Sequence, residues 1–327
     1  MSNMEGHLGL EPRTPCLRGR CSNRLSYWPN LPLKLYQSTS VNAIVIKCLE
    51  IGFAKIDKLM KILSGRELSG FIKERQAHSV RSLTQSAGIV PKLAIIKTID
   101  NPVIDLYVGL KQKYADDIGI AVDLYRLEQE EVPDLLNKLN SDTSVHGIII
   151  QLPIKNPDQT DELTNLVSPD KDVDALGDKA KFDPATPMAI LWLLSGYNID
   201  LQGKKVVLIG KGKLVGRPLE KMLKNSGVDV FTIDSKTKDV PKLTKEADII
   251  ITATGSPSVL TSDMVKPGSV VVDAGVASED GKTVGDVADD LFERQDITIT
   301  PKKGGVGPLT ICALFENVIR SAERQRE

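Results

Sequence analysis

Residues 205–218 constrain the fold more than any other stretch. After Lys205, Val206-Val207-Leu208-Ile209 is an apolar run of strand length, and it leads through Gly210 into Lys211-Gly212-Lys213-Leu214-Val215-Gly216-Arg217-Pro218. A run with no polar face needs cover on both sides, as in a parallel sheet layered with helices. The glycines are spaced G-x-G-x-x-x-G, one residue longer than the usual dinucleotide fingerprint. Glycines there let phosphate oxygens approach the backbone, and the following helix offers free N–H groups and a positive dipole end. A turn of tightly packed glycines is the plain alternative. The strand–turn–helix context favours the nucleotide reading.

The rest of the body repeats this alternation. Strands are expected at Lys92–Thr98, Ile120–Arg126 and Gly147–Ile150, the last leading into Gln151-Leu152-Pro153. Helical spacing covers Ser69–Ala87, Ile104–Ile118, Val132–Asn140, Asp161–Leu166 and Pro187–Leu194. Lys61–Leu68 reads as a short strand and turn. After Gly203 the pattern restarts, with strands at Val228–Ile233, Asp248–Thr254, Ser269–Ala274 and Ile297–Thr300, and helices at Val215–Asn225 and Leu309–Arg324. The expected class is α/β with two domains: an N-terminal α/β catalytic domain, a Rossmann-type NAD(P)-binding domain, and a cleft between them. The boundaries fall at 60–196 and 197–308, with helix 309–324 packing back on the first domain. A helix over Pro184–Ser195 bridges the two.

At roughly 150 residues per domain, 327 residues fit two domains. Yet the charge is uneven. Residues 1–59 hold eight Lys/Arg against four Asp/Glu and three of the four cysteines, within a chain of net charge -1. That leader shows no sustained period and no secretory pattern. A transit peptide is weakened by Glu5 and Glu11. Cys16 and Cys21 have no second pair to make a metal site. The leader is expected to be dispensable for folding, or upstream of a natural start at Met60. In the body Cys312 is the only cysteine, which excludes an internal disulfide there and fits a reducing cytoplasm. The charge balance and 4% aromatic content argue against nucleic-acid binding. No run approaches ~18 apolar residues, so no membrane role is expected.

Five further segments carry chemistry. Ile233-Asp234-Ser235-Lys236-Thr237 ends a strand where an adenosine ribose would lie. Asp234 favours NAD through a 2′-hydroxyl; Ser235, Lys236 and Lys211 favour NADP through a 2′-phosphate. Tyr107 and Lys111 share one helix face, and a desolvated lysine serves as an acid or base near neutrality. An ordinary surface pair is the common alternative. Gln151-Leu152-Pro153 stands at the carboxyl end of a strand, where ligands gather, or simply caps it. Pro169-Asp170-Lys171-Asp172-Val173-Asp174 has three carboxylates, either a solvated turn or a metal site short of ligands. Gly304-Gly305-Val306-Gly307-Pro308-Leu309-Thr310 reads as a loop wrapping a ligand or a flexible connector.

In order, these segments resemble the bifunctional methylenetetrahydrofolate dehydrogenase/methenyltetrahydrofolate cyclohydrolase family from Met60 to about Ala322. The carrying motifs are Tyr107-x-x-x-Lys111, Gln151-Leu152-Pro153, Lys171-Asp172-Val173-Asp174, Thr186-Pro187, Gly210-x-x-x-x-Val215-Gly216-x-Pro218, Ser235-x-Thr237 and Gly304-Gly305-Val306-Gly307-Pro308-x-Thr310. The resemblance implies Lys111 as the central acid/base, Tyr107 stacking on folate, Gln151 tuning Lys111, and Asp174 anchoring the pterin. It implies substrate contacts at Leu152, Pro153, Gly305, Val306, Gly307, Pro308 and Thr310. It implies NADP, with NAD possible, held by Gly210, Lys211, Gly212, Val215, Gly216, Ser235 and Lys236. Thr254, Gly255 and Val276 complete that set. No metal is implied, and a homodimer is.

The chain departs from the family at Ile104 (usually Ser), Lys155 (Pro), Ala175 (Gly), Ala185 (Cys), Lys211-Gly212 (Arg-Ser), Asp234 (His) and Lys302-Lys303 (Val-Pro). Because Lys111, Tyr107, Gln151 and Asp174 are all present, both activities are expected: oxidation of 5,10-methylenetetrahydrofolate, then hydrolysis to 10-formyltetrahydrofolate. Two alternatives stand beside this. One is another two-domain Rossmann dehydrogenase acting on a shikimate-like or amino acid substrate. The other is a non-catalytic or single-activity descendant, for which Ile104 and Ala175 speak.

Overall fold

The computed structural model describes residues 61–279 and 282–325. The expectations for residues 1–59 lie outside the described residues. The first sheet has three parallel strands, β2 (Lys92–Lys97), β3 (Ala121–Arg126) and β4 (Gly147–Ile150), in the order β3-β2-β4. Helix α1 (Gly65–Ala87) precedes them, α2 (Pro102–Ile118) links β2 to β3, and α3 (Val132–Ser141) links β3 to β4. A short α4 (Thr160–Asn165) and an apolar α5 (Ala185–Gly196) follow.

The second sheet has six parallel strands. They are β1 (Lys61–Ile62), β5 (Val206–Ile209), β6 (Val230–Ile233), β7 (Ile249–Thr252), β8 (Val270–Asp273) and β11 (Thr298–Ile299), in the order β1-β11-β8-β7-β5-β6. Helices α6 (Gly216–Asn225) and α7 (Val240–Glu246) connect its early strands. A polar hairpin, β9 (Ala277–Glu279) with β10 (Lys282–Val284), stands apart from both sheets. The chain closes with α8 (Val306–Arg324).

Two expectations change here. Strand β1 was assigned to the first domain, but Lys61 and Ile62 pair in parallel with Thr298 and Ile299 of the second sheet. Residues after Ile62 were read as a turn, with a helix from Ser69. Instead Ser64 caps α1, its hydroxyl accepting the Glu67 N–H at 3.3 Å. The Ser64-x-x-Glu67 spacing is a helix-start signal.

Helix α2 begins at Asn101-Pro102 for a clear reason. The Asn101 side chain accepts the Val103 N–H at 2.8 Å, and Pro102 needs no partner for the N–H it lacks. Buried Ile104, Val108 and Ala115 seat the helix on the sheet. Helix α8 lies against α1 and α5, and Leu309 and Cys312 share one apolar core with Leu193, Leu194, Leu208 and Ile251. The two sheets therefore flank a common layer of helices.

Candidate active site

Strand order sets the place of the chemistry. In the first sheet β2 is flanked by β3 on one side and β4 on the other, so a crevice opens at the carboxyl ends of β2 and β4. Gln151 follows β4 directly, its N–H donating to the Ile96 carbonyl at 2.8 Å. Helix α2 projects Tyr107 and Lys111 from one face, both half-buried. At the end of β2, Lys97 is buried and pairs with Asp105 at 2.5 Å and Asp100 at 2.7 Å, which ties the start of α2 to the sheet. The sequence reading missed this lysine, because a single charge in an apolar run gives no pattern.

Lys111 Nζ donates to Gln151 Oε1 at 2.7 Å. The other end of that amide is fixed too, since Gln151 Nε2 donates to the Leu152 carbonyl at 3.0 Å. Burial pushes the Lys111 ammonium below the usual lysine range, and the Asp174 charge only partly opposes this. A neutral amide holds the amine in place without restoring its charge. Burial likewise pushes the Asp174 carboxyl up, with Lys111 opposing. Pro153 is exposed and joined to Leu152 by a cis peptide bond.

The loop bearing Asp174 is built by its own carboxylate Asp172 and by Asn317, a residue the sequence gives no sign of. Asp172 Oδ2 accepts the Gly177 N–H at 2.8 Å and Oδ1 the Leu176 N–H at 3.3 Å, closing a turn around Ala175. Burial pushes this carboxyl up to about 6, against those N–H bonds. Ala175 sits at φ 55, a left-handed conformation suited to glycine. Buried Asn317 on α8 donates to the Val173 and Asp183 carbonyls, both at 2.9 Å. Lys171 Nζ donates to the Leu139 and Asp142 carbonyls at the end of α3. The three carboxylates of this loop diverge: Asp170 pairs with Lys181, Asp172 holds its turn, and Asp174 faces Lys111. Among the described residues no three metal-ligating side chains cluster.

The second crevice lies between β5 and β7, again where strand order reverses. Gly210 has φ 111, and a Cβ there would lie 2.4 Å from the Ala253 carbonyl oxygen; one at Gly216 would lie 2.2 Å from that of Gly210. These two glycines are steric necessities. Gly212 differs, since a Cβ there meets nothing within 4 Å. The space beside Gly212 is thus open, and Lys211 and Arg217 near it are exposed, with the Arg217 Nε donating to the Lys211 carbonyl at 3.1 Å. Lys211 Nζ lies 3.8 Å from Glu220.

At the end of β6, Asp234 Oδ1 accepts both the Lys236 N–H and the Thr237 hydroxyl at 3.0 Å. Its carboxylate is engaged by its own turn, while Ser235 and Lys236 are exposed. Thr254 and Gly255 follow β7, and exposed Val276 follows β8. This rim fits an anionic dinucleotide: open backbone, a helix start and cations at one end.

The Gly304–Thr310 segment is not a connector. Gly305 caps α8, and Val306, Gly307, Pro308 and Thr310 form its first turns. The Arg66 N–H donates to the Gly304 carbonyl at 2.9 Å, and a Cβ on Gly65 would lie 1.8 Å from the Gly305 oxygen. Gly65 is therefore required at the start of α1, another residue the sequence reading missed. Lys213 Nζ pairs with Asp161 Oδ1 on α4 at 2.5 Å, linking the glycine turn to the first domain.

Residues 63–174 match the family model for the tetrahydrofolate dehydrogenase/cyclohydrolase catalytic domain, and residues 184–326 match that for its NAD(P)-binding domain. A bifunctional protein FolD of Campylobacter jejuni is 41% identical over 281 residues, covering 81% of this chain and 99% of that protein. The crystal structure of the Campylobacter jejuni bifunctional enzyme FolD, a methylenetetrahydrofolate dehydrogenase/cyclohydrolase, superposes with a TM-score of 0.76 and covers 81% of this chain and 99% of that one. The Trypanosoma brucei methylenetetrahydrofolate dehydrogenase-cyclohydrolase, complexed with NADP cofactor and inhibitor, is 27% identical with a TM-score of 0.76, covering 81% of this chain and 98% of that one.

Proposed function

The chain belongs to the tetrahydrofolate dehydrogenase/cyclohydrolase family, and on that premise we propose how its own residues divide the work. It is a bifunctional enzyme that oxidises 5,10-methylenetetrahydrofolate with NADP and hydrolyses the methenyl product to 10-formyltetrahydrofolate. NADP, when bound, accepts the hydride from the one-carbon bridge.

The observation that carries the division is the Lys111–Gln151 bond of 2.7 Å. Lys111, depressed by burial, exchanges protons with the water that attacks the methenyl carbon and with the departing ring nitrogen. Gln151 fixes the direction of its amine. Asp174 accepts paired N–H donors of the pterin, a geometry suited to a carboxylate. Tyr107 stacks on the folate. Leu152, Pro153 and the first turn of α8, from Gly305 to Thr310, complete the folate wall. Gly210, Gly212, Val215 and Gly216 receive the phosphates, and Thr254, Gly255 and Val276 the other end. Lys211, Ser235 and Lys236 receive the 2′-phosphate. The two bonds that Asp234 Oδ1 already accepts from its own turn support this choice of NADP over NAD.

The setting we propose is a cytoplasmic homodimer that binds no nucleic acid and supplies formyl groups for purine biosynthesis. Exposed Phe231 on edge strand β6 supports self-association. Among the described residues Cys312 is a free thiol, and no helix is long and apolar enough to cross a membrane. The test is an assay with methylenetetrahydrofolate and each nicotinamide cofactor that follows methenyl and formyl products. Lys111→Ala is expected to slow methenyl hydrolysis by roughly 10²–10⁴-fold. Unchanged hydrolysis would overturn the assignment.

A further inference from the structure

Two carboxylates beyond the glycine turn belong to none of the roles above. Asp273 ends β8, and Asp286 follows β10 and is fully buried. Asp286 Oδ2 accepts the Thr254 N–H at 2.6 Å and Oδ1 the Ser256 N–H at 3.1 Å. Asp273 Oδ1 accepts the Gly275 N–H at 2.9 Å, the Asp286 N–H at 3.1 Å and the Thr252 hydroxyl at 3.1 Å, while Oδ2 accepts the Val287 N–H at 3.2 Å.

The two are interlocked through glycines. A Cβ on Gly275 would lie 1.9 Å from Asp286 Oδ1, and a Cβ on Gly285 would lie 2.0 Å from Asp273 Oδ2. Each carboxylate fills the space left by the glycine beside the other. Holding a half-buried carboxylate beside a fully buried one is costly unless backbone donors compensate, and apolar packing would stabilise the sheet as well. What the carboxylates add is a fixed backbone for residues 254–256 and 275–276. Those loops follow β7 and β8, across the strand reversal from the cationic rim of β5 and β6. Ala253 touches the glycine turn itself, 2.4 Å from where a Gly210 Cβ would lie. A dinucleotide with its 2′-phosphate at the rim brings its nicotinamide end to them.

We propose that Asp286 and Asp273 are positioning residues for the cofactor: their interlocked carboxylates hold the Thr254–Ser256 and Gly275–Val276 backbone in the form that receives the nicotinamide half of NADP. This rests on the cofactor site argued above. The experiment compares, by calorimetric titration of the full-length protein, NADP+ with 2′-phospho-ADP-ribose, which lacks the nicotinamide. Asp286→Asn keeps the size but turns an amide donor toward an N–H. NADP+ is expected to bind about tenfold more weakly, while 2′-phospho-ADP-ribose binds within about twofold of wild type. Thr252→Val removes one bond to Asp273 and is expected to shift the same ratio by about threefold, should the first variant not fold. Equal weakening of both ligands, or of neither, would overturn the positioning role. Wild-type protein that binds neither ligand would instead overturn the cofactor site.

Discussion

In the first sheet the crevice between β2 and β4 is equipped with side chains: a lysine bonded to a glutamine, and a carboxylate whose charge reaches the lysine. In the second, the crevice between β5 and β7 is equipped by their absence, with Gly210 and Gly216 bringing backbone against backbone. Both follow the same topological rule, that ligands meet a parallel sheet where its strand order reverses. The difference teaches where substitution is tolerated. Proton transfer needs particular functional groups, so on the proposed assignment Lys111 and Gln151 are the positions where replacement costs most. Phosphate binding needs room and donors, and on the proposed assignment the exposed rim supplies both with Lys211 and Gly212.

The largest effect expected on this contrast is at Gly216. In Gly216→Ala the new Cβ meets the Gly210 carbonyl oxygen at 2.2 Å and the Lys211 Cα at 2.9 Å, both backbone atoms that must shift to admit it. NADP affinity should fall more than tenfold, with a stability loss of about 1–3 kcal/mol by chemical denaturation. Hydrolysis of supplied methenyltetrahydrofolate should persist in the folded fraction. Parallel loss of both activities would mean that the two crevices are not independent.

A middle-sized effect is expected at Gln151. Lys111 must lose its proton to act as a base, so hydrolysis should rise with pH to an inflection below the usual lysine value of 10.5. Gln151→Glu sets a carboxylate against the ammonium and favours its charged form. The inflection should move up by about one pH unit, lowering neutral-pH hydrolysis about tenfold. A profile that stayed put would show that Lys111 is not the titrating group.

The smallest is at Ala175. Its φ of 55 imposes a left-handed strain of about 1 kcal/mol that glycine does not feel. Ala175→Gly should raise the melting temperature by a few degrees at most, and affinity for folate slightly. A lower melting temperature would show that the turn held by Asp172 suits alanine.

What the sequence made legible follows from these same contrasts. Apolar strands such as Ile148–Ile150 and Val206–Ile209 announce themselves, because both faces are buried and no polar residue interrupts them. Lys111 and Gln151 were legible as a resemblance, but their bond joins residues forty positions apart and only the fold brings it about. The hairpin β9–β10 was not expected, since it lacks an apolar face, nor was α7, a short polar helix behind Pro241. Gly65, Gly275 and Gly285 look like ordinary glycines until their neighbours are known. Asn317 and Asp286 work through backbone groups of distant loops, a relation that leaves no local pattern.

The ends of the described chain also cross over. Strand β1 completes the second sheet, α8 supplies Asn317 to the loop of Asp174, and the turn before α8 holds the start of α1 through the Gly304 carbonyl. A growing polypeptide therefore cannot finish its first domain when residue 196 leaves the ribosome. It must hold the Lys111 crevice half-assembled, with the apolar faces of α1 and α5 uncovered, until the last helix emerges.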